Sequence, residues 1–247
     1  MMATTDIRAS TSLLPLRLDG VVFAVGGRRI IDRVSLTIAA GPRTVIVGPN
    51  GAGKSVLLRL CHGLLQPSEG SIQWNSTEIP GAPRRQAMVF QRPMLLRRSA
   101  IANVAYALGV AKVPLGSRIA RAREALRKVG LESQAAHPAR VLSGGEQQRL
   151  ALARAWALQP EIIFLDEPTA SLDPGATHEV ENVIQAMVDA GTKIVLVTHN
   201  LGQARRMGDE ILFLHQGRMA ERASSDTFFR HPQSDEARRF LEGELPW

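Results

Sequence analysis

The sequence has little of what marks disulfide-bonded or metal-binding chains. Cys61 is the only cysteine among the 247 residues. A single cysteine cannot form an internal disulfide bond, which agrees with a reducing compartment. His62 follows it, but two ligand-type residues without further partners indicate helix packing rather than a metal site. We therefore expect no metal site at this pair.

Long hydrophobic runs are also missing. No apolar run approaches the roughly 18–20 residues that cross a bilayer, so we expect no transmembrane helix. The N-terminal stretch has a short apolar patch interrupted by Pro15 and Arg17, without the basic start and long apolar region of a signal peptide. These absences predict a cytosolic chain, and 247 residues suffice for one large core or for a division into two subdomains.

The chain is basic, with a formal net charge of +7 and a pI near 10.6. Such a balance suggests nucleic acid or an anionic membrane surface as partners. Most of the basic residues stand beside acidic ones, a pattern typical of solvated helix faces. The local cluster of basic residues comprises Arg84, Arg85, Arg92, Arg97 and Arg98.

The octapeptide GPNGAGKS matches the phosphate-binding loop G-x-x-x-x-G-K-[ST]. A β-branched run at 44–47 precedes it and helix formers follow, which is the context that the motif requires. Its glycines let backbone N–H groups turn towards phosphate oxygens, aided by the helix dipole. We expect Lys54 to reach the β- and γ-phosphates and the Ser55 hydroxyl to bind Mg²⁺. The predicted nucleotide loop is Gly48, Pro49, Asn50, Gly51, Ala52, Gly53, Lys54 and Ser55.

Strand-like and helix-like segments follow one another in an α/β order. Before residue 45 they form a small β layer, and further strands are predicted at 71–74, 87–90, 162–165 and 193–197, with a hairpin at 211–220. Helices are predicted at 100–108, 117–129 and 176–190, and residues 109–116 connect the first two. The second helix would bury Ile119, Ala122, Leu126 and Val129. The pattern predicts a parallel α/β core interrupted by a helical subdomain.

Two carboxylates and one capped helix add to the phosphate loop. Asp166 ends the apolar strand at 162–165, where the Mg²⁺-side partner of such a loop is expected. Glu167 follows it, in a position to orient and deprotonate an attacking water. The competing interpretation makes Glu167 a helix-entry acid before Pro168. Further upstream, Ser143 and Glu146 form a predicted capping box before a helix at 147–158.

In this order, the motifs resemble those of the ATP-binding-cassette (ABC) family, whose signature sequence is LSGGQ. Gln91 matches the family's Q-loop, Ser171-Leu172-Asp173 its D-loop and His199 its switch histidine. The resemblance covers nearly the whole chain and implies the P-loop NTPase fold of ABC ATPases. That fold would have a parallel-sheet core over about 14–91 and 159–247, an antiparallel β subdomain, and a helical subdomain inserted over about 92–158.

The resemblance implies that two copies close head to tail around two ATP molecules, as an ATP-sandwich homodimer. The predicted catalytic residues are Glu167 as general base with His199, Gln91 and Lys54 as positioning groups. The predicted Mg²⁺ ligands are Ser55, Gln91 and Asp166. The other copy would supply Ser143, Gly144 and Gly145, with the positive end of their helix facing the γ-phosphate, and Asp173 is included among the nucleotide-site residues.

The sequence departs from the family pattern at two places. The signature reads LSGGE, a polar exchange that we expect to preserve the helix start. The aromatic residue that usually stacks on adenine aligns with Val25. Phe23 lies two residues earlier on the same strand and is the alternative base contact. Weaker stacking would loosen nucleotide binding without altering the chemistry.

The use of the ATP energy is implied by resemblance alone. A lone cassette resembles the ATPase subunit of a multi-subunit bacterial importer, bound to membrane-spanning permease subunits at the cytoplasmic face of the inner membrane and acting indirectly with a substrate-binding protein. The stretch QRPMLLRRSAIANV is most similar to oxyanion importers, tungstate first and phosphate or molybdate after it. Residues 91–98 are either a permease-binding surface or a buried turn with solvated arginines.

Two other functions stay open at the level of sequence. One is a soluble cassette ATPase of the iron–sulfur assembly type, which would bind a soluble scaffold. The other is a cassette ATPase that acts on nucleic acid, which the basic charge allows. Such proteins usually carry two cassettes, coiled coils or zinc modules, whereas this chain has one cassette and one cysteine. We therefore expect no nucleic-acid partner.

Overall fold

The fold was determined as a computed structural model, which describes residues 12–75 and 85–244. The strands are β1 (Leu16–Val25), β2 (Arg28–Ile38), β3 (Thr44–Val47), β4 (Glu69–Trp74), β5 (Gln86–Val89), β6 (Ile162–Asp166), β7 (Lys193–Val197), β8 (Glu210–His215) and β9 (Arg218–Ser224). The helices are α1 (Lys54–His62), α2 (Ala100–Val110), α3 (Leu115–Lys128), α4 (Gly144–Trp156), α5 (Pro174–Asp189), α6 (Leu201–Met207), α7 (Ser225–Arg230) and α8 (Asp235–Leu241). Arg84 lies outside the described residues.

The strands form two sheets. A three-stranded antiparallel sheet has the order β2-β1-β4, and a six-stranded sheet has the order β5-β6-β7-β3-β8-β9. In the larger sheet, every pairing is parallel except the final β8–β9 hairpin. The predicted α/β class, with a parallel core and a separate antiparallel layer, is confirmed.

The central strands are apolar along their whole length because both faces of the larger sheet are covered. All residues of β3, β6 and β7 are buried. Side chains alternate between faces, so Val45 and Val47 join one hydrophobic cluster while Ile46 joins the other. The first cluster includes α2 to α5, and the second joins α1 to the antiparallel sheet. The two clusters anchor the sheet edge that carries the loops described below.

Helices α2, α3 and α4 lie between β5 and β6, inside the interval proposed for the helical subdomain. Two details of the sequence-based prediction are wrong here. The link between α2 and α3 is shorter than 109–116, because α2 continues to Val110 and α3 begins at Leu115. Ile119 is 53% exposed, whereas Ala122, Leu126 and Val129 are buried as predicted. The residue that caps the end of α2 is not glycine, and neither is the residue that caps the start of α3. The apolar face of α3 is narrower than its sequence pattern suggests.

Within the described ranges, no helix is long and apolar enough to cross a membrane.

Candidate functional site

The predicted nucleotide residues lie where neighbouring parallel strands end. β6, β7 and β3 are adjacent and parallel in the six-stranded sheet. Val197 at the end of β7 pairs with Asp166 of β6 on one side and with Ile46 of β3 on the other. The residues that follow the three strands therefore meet at one edge. In open α/β sheets this edge is the usual ligand site.

The phosphate loop follows β3 and needs glycine for two separate reasons. Gly48 has a φ of 150°, and a Cβ atom there would lie 2.0 Å from the carbonyl oxygen of Leu214. Gly53, the N-cap of α1, has a φ of 98°, and a Cβ atom would lie 2.8 Å from the carbonyl oxygen of Ile30. The loop thus packs its backbone directly on β8 and β2. Side chains at these positions would displace the loop from the sheet.

Lys54 is buried at the start of α1 with its ammonium group turned into the loop. Its Nζ donates hydrogen bonds to the carbonyl oxygens of Gly48, at 2.7 Å, and Pro49, at 2.9 Å. Burial lowers the pKa of Lys54, while the nearby carboxylates of Glu167 and Asp166 oppose the shift. The cation therefore lies against the same backbone that would face a phosphate chain.

Ser55 and Asp166, which the sequence predicts as ligands of one Mg²⁺ ion, are in direct contact. The Ser55 hydroxyl donates to Oδ1 of Asp166 at 2.7 Å, and Arg59 places Nη2 3.7 Å from Oδ2 of the same carboxylate. Burial raises the pKa of Asp166, while the Ser55 hydrogen bond and the Arg59 charge oppose that change. Arg59 was not among the residues predicted from the sequence. Its spacing of four residues from Ser55 on α1, which puts both on one helix face, is the signal that would have found it.

Glu167 and His199 are also brought together. His199 Nδ1 lies 3.0 Å from Oε2 of Glu167, and the Glu167 backbone N–H donates to the carbonyl oxygen of Val197. Glu167 has a φ of 48°, a left-handed conformation that costs a non-glycine residue about 1–2 kcal/mol. The tight turn directs the carboxylate away from the strand and towards His199. The histidine side chain is half exposed, so the pair faces solvent on one side.

Gln91 lies at the same edge of the sheet but is joined less closely to Ser55 and Asp166 than these two residues are to each other. β5 pairs in parallel with β6, with Val89 opposite Leu165, so Gln91 emerges beside the Asp166–Glu167 turn. Its side chain is exposed. Within residues 12–75 and 85–244, no hydrogen bond joins it to Ser55 or Asp166. Its assignment as a Mg²⁺ ligand therefore stays a prediction.

The signature segment forms the capping box that its spacing predicts. The Glu146 backbone N–H donates to Ser143 Oγ at 3.3 Å, and the Ser143 backbone N–H donates to Glu146 Oε2 at 2.8 Å. The backbone N–H of Ser143 is the largest influence lowering the pKa of Glu146. Glutamate in place of the glutamine of LSGGQ thus adds a negative charge at the positive end of α4. The helix start is preserved, as expected.

Two residues assigned to the nucleotide site also have structural roles that the sequence analysis did not foresee. Gly145 is buried, and a Cβ atom there would lie 2.7 Å from the Cβ of Ala176 on α5. Asp173 is the N-cap of α5, where its carboxylate accepts a hydrogen bond from the Ala176 backbone N–H at 2.9 Å. The signature helix and the D-loop segment are therefore packed against each other within one copy.

The two candidates for the adenine contact differ in exposure. Val25, at the end of β1, is 58% exposed. Phe23 is partly buried against the core of the antiparallel sheet. The β1–β2 pairing shifts register between Phe23 and Ala24, so regular alternation is interrupted between the two candidates. The choice between them stays a prediction.

Together, the phosphate loop, the paired carboxylates and the parallel sheet define a nucleotide-binding protein of the P-loop class. The family described as ABC transporter matches residues 31–170. The chain belongs to the ABC transporter family, and it is an ATPase that converts ATP and water to ADP and phosphate.

Relatives and solved structures agree with this family over most of the chain. The chain is 40% identical to the tungstate uptake system ATP-binding protein TupC of Peptoclostridium acidaminophilum, over 83% of this chain and 94% of TupC. It is 37% identical to the arginine transport ATP-binding protein ArtM of Bacillus subtilis (strain 168), over 92% of this chain and 98% of ArtM.

Two solved structures share the fold. CbiO1 from Clostridium perfringens, part of the ABC transporter complex cbiONQ, superposes with a TM-score of 0.78 at 26% identity, covering 93% of this chain and 95% of CbiO1. The ATP-binding cassette MJ0796, solved as a dimer in a post-hydrolysis state with ADP and Pi, gives a TM-score of 0.74 at 29% identity. The match covers 85% of this chain and 98% of MJ0796.

Proposed function

We propose that this chain is the ATP-hydrolysing subunit of a multi-subunit importer that carries an oxyanion, with tungstate as the first candidate. The observation that carries the hydrolytic part is one sheet edge with two contacts, Ser55 with Asp166 at 2.7 Å and Glu167 with His199 at 3.0 Å. The observation that carries the cargo is the 40% identity to the tungstate protein TupC. Because the chain is also 37% identical to the arginine protein ArtM, the identity of the cargo needs its own test.

In the proposed reaction, Glu167 is the general base for the attacking water. His199 lies on its exposed side and would hold the γ-phosphate and the water in line with each other. Lys54 would exchange its two carbonyl partners for phosphate oxygens. Because these groups follow three neighbouring strands, the rigid core fixes their spacing before the nucleotide arrives.

Mg²⁺ fits the donor atoms of this site. Ser55 Oγ and Asp166 Oδ1 are two hard oxygen donors that lie next to each other. In the described part of the chain, no group of three or more His, Cys, Asp or Glu side chains could hold a metal alone. Phosphate oxygens and water would complete the shell, as is usual for Mg²⁺. The ion would neutralise the charge of the phosphates.

We propose that the working form contains two copies of the chain in a head-to-tail dimer. The MJ0796 cassette, which shares this fold, was solved as a dimer. Ser143 and Gly144 are exposed at the start of α4, where a partner's nucleotide would face the positive end of the helix dipole. In this arrangement each site uses the loop of one copy and the signature of the other.

The surface proposed for the permease is the segment 91–98. Met94 is 75% exposed, and Arg92, Arg97 and Arg98 are exposed as well. The segment is nevertheless tied to the helical region, because Arg154 donates to the Met94 carbonyl at 2.7 Å and Asn103 accepts from the Leu96 N–H at 2.8 Å. An exposed apolar side chain on a fixed loop favours a binding surface over a buried turn.

The first test is a mild-detergent pull-down of the tagged chain from its native membranes, followed by identification of the proteins that come with it. The proposal expects a polytopic membrane subunit, which would place the chain at the cytoplasmic face of that membrane. Recovery of soluble partners alone would contradict the importer and favour the iron–sulfur or nucleic-acid alternatives. The Arg97→Glu, Arg98→Glu double variant tests the docking segment in the same assay.

The cargo is tested separately on the substrate-binding protein that accompanies the permease. Calorimetric titration with tungstate, molybdate, phosphate and arginine compares the four candidate ligands directly. The proposal expects tungstate to bind most tightly and arginine not to bind. Tight binding of arginine would overturn the oxyanion assignment while leaving the ATPase assignment intact.

A further inference from the structure

A buried hydrogen-bond network lies behind the Glu167–His199 pair. Gln203 on α6 is fully buried, and its Nε2 donates to Thr169 Oγ1 at 2.8 Å and to Glu181 Oε1 at 3.1 Å. Arg206, one turn further along α6, donates to both oxygens of the Glu181 carboxylate. The network therefore connects α6, α5 and the turn after β6 through one amide group.

The network joins the two segments that carry the paired side chains. Thr169 lies two residues after Glu167, and Gln203 lies four residues after His199. Asn200, next to His199, caps α6 by accepting a hydrogen bond from the Gln203 backbone N–H at 3.0 Å. Gln203 thus holds the start of α6 through its backbone and the Glu167 turn through its side chain.

The orientation of the Gln203 amide is fixed by charge. Both Nε2 hydrogens have acceptors, whereas the buried Oε1 has no hydrogen-bond partner within the described ranges. Rotating the amide by half a turn would place Oε1 against the Glu181 carboxylate, which accepts hydrogen bonds and cannot donate one when ionised. An orphaned buried acceptor is unusual and indicates that the two donated bonds decide the arrangement.

We propose that Gln203 is a positioning residue for ATP hydrolysis, which acts by holding the Glu167 turn against the helix that follows His199. This inference rests on the roles given to Glu167 and His199 under the proposed function. The side-chain hydrogen bonds of Gln203 go to Thr169 and Glu181, not to Glu167 or His199. Its loss would let the two segments move apart, and a displacement of about 1 Å at a reacting centre can cost about 100-fold in rate.

The test compares steady-state ATPase kinetics of the full chain with those of the near-isosteric variants Gln203→Leu and Thr169→Val. Each should lower kcat by about 10- to 100-fold while changing KM for ATP by less than about threefold. Thr169→Ser keeps the hydroxyl and should restore kcat to near the wild-type value. The double variant should lose no more than the worse single variant, because both substitutions break the same link.

A matched control separates positioning from general loss of structure. Gln185 on α5 also makes two side-chain hydrogen bonds, to Arg43 and Asp189, but none to the proposed site. Gln185→Leu should keep the wild-type kcat. An equal loss of kcat in Gln185→Leu would overturn the proposal, as would wild-type kcat in both Gln203→Leu and Thr169→Val. If Gln203→Leu does not fold, the contrast between Thr169→Val and Thr169→Ser decides the question.

Glu167→Gln distinguishes this inference from the proposed function on which it rests. An inactive Glu167→Gln together with a fully active Thr169→Val would reject the Gln203 link and keep the role of Glu167. A fully active Glu167→Gln would instead remove the assignment of Glu167 as general base, and with it the reason to give Gln203 a positioning role.

Discussion

At the scale of single residues, the site combines side chains whose environments oppose their charged forms. Lys54 and Asp166 are both buried, and burial lowers the pKa of the first and raises that of the second. Each is held by near neighbours, Lys54 by two carbonyl oxygens and Asp166 by Ser55 and Arg59. The phosphates of a bound nucleotide would supply further partners for Lys54, and its cation would supply one for Asp166.

The Glu167→Gln substitution tests the general base. We expect ATP binding to persist and hydrolysis to fall by at least about 100-fold, because the amide cannot accept the proton of the water. Phosphate release should be slow, and size-exclusion chromatography with Mg-ATP should show a trapped dimer. Glu179→Gln on α5 is the matched control and should behave as wild type. Turnover at the wild-type rate in Glu167→Gln would remove this role.

Lys193 gives a prediction about pH and stability. It is buried at the start of β7, where its Nζ donates to the carbonyl oxygen of Pro42 and to Thr44 Oγ1, and burial lowers its pKa from 10.5 to about 8. Between these two values the unfolded chain binds a proton that the folded chain does not. The stability contribution of Lys193 therefore rises as pH increases through this window.

The comparison of wild type with Lys193→Met isolates this effect. The free energy of unfolding of the wild type, relative to that of the variant, should increase by about 1 kcal/mol for each pH unit above 8 and stay constant below it. Equilibrium denaturation at pH 7, 8, 9 and 10 measures the difference. A difference independent of pH would show that the Lys193 pKa is not lowered in the fold.

At the scale of secondary-structure elements, the signature helix has a structural reason for its second glycine. A methyl group at Gly145 would lie 2.7 Å from Ala176 Cβ, whereas one at Gly144 would have its nearest neighbour at 3.5 Å, an ordinary contact. The start of α4 therefore approaches α5 more closely than any residue with a side chain allows. This approach aligns the signature with the D-loop segment that precedes α5.

Gly145→Ala should lower the free energy of unfolding by about 1–3 kcal/mol, because the added methyl group overpacks the α4–α5 contact. Gly144→Ala should change it by less than about 0.5 kcal/mol. Adding Ala176→Gly to Gly145→Ala should recover part of the loss, since it removes the opposing methyl group. Denaturation curves of the four proteins test the contact. Equal destabilisation by Gly144→Ala and Gly145→Ala would contradict it.

At the scale of the whole molecule, α4 joins the proposed permease surface to the signature, which we propose faces the nucleotide bound by a second copy. The helix begins at the signature and ends near Arg154, which holds the Met94 carbonyl of the segment 91–98. A movement of α4 would therefore be felt at both places. This connection gives a physical route between ATP binding and a membrane partner, and the proposed importer function needs such a route.

Charge reversal at Arg97 and Arg98 tests that route. The double variant should uncouple ATP hydrolysis from the membrane partner while leaving nucleotide affinity unchanged, because both side chains are exposed and lie outside the nucleotide contacts. Partner-stimulated and basal ATPase rates measure the coupling. Arg17→Glu with Arg123→Glu carries the same change of charge at exposed positions elsewhere and should remain coupled. Unchanged stimulation in the Arg97, Arg98 variant would remove this surface.

The sequence alone determined the fold class and the order of the central strands, and it predicted the residues of the site. Local patterns carried this information, because apolar strands, glycine-rich turns and helix caps depend on residues close in the chain. Motif order predicted that Ser55 and Asp166 share one site, and the two side chains lie in contact at 2.7 Å. The exposure of Ile119 did not follow, because helical periodicity does not say how wide a face the neighbouring helices cover.

Only the tertiary structure showed that Arg59 approaches Asp166, that Gly145 packs on Ala176 and that Gln203 bridges Thr169 and Glu181. Each of these contacts joins residues from different elements. Their partners are selected by the packing of helices on the sheet, and apart from the spacing between Ser55 and Arg59 no local pattern indicates them. Sequence motifs thus predicted which residues form the site, and tertiary packing decided which neighbours hold them in place.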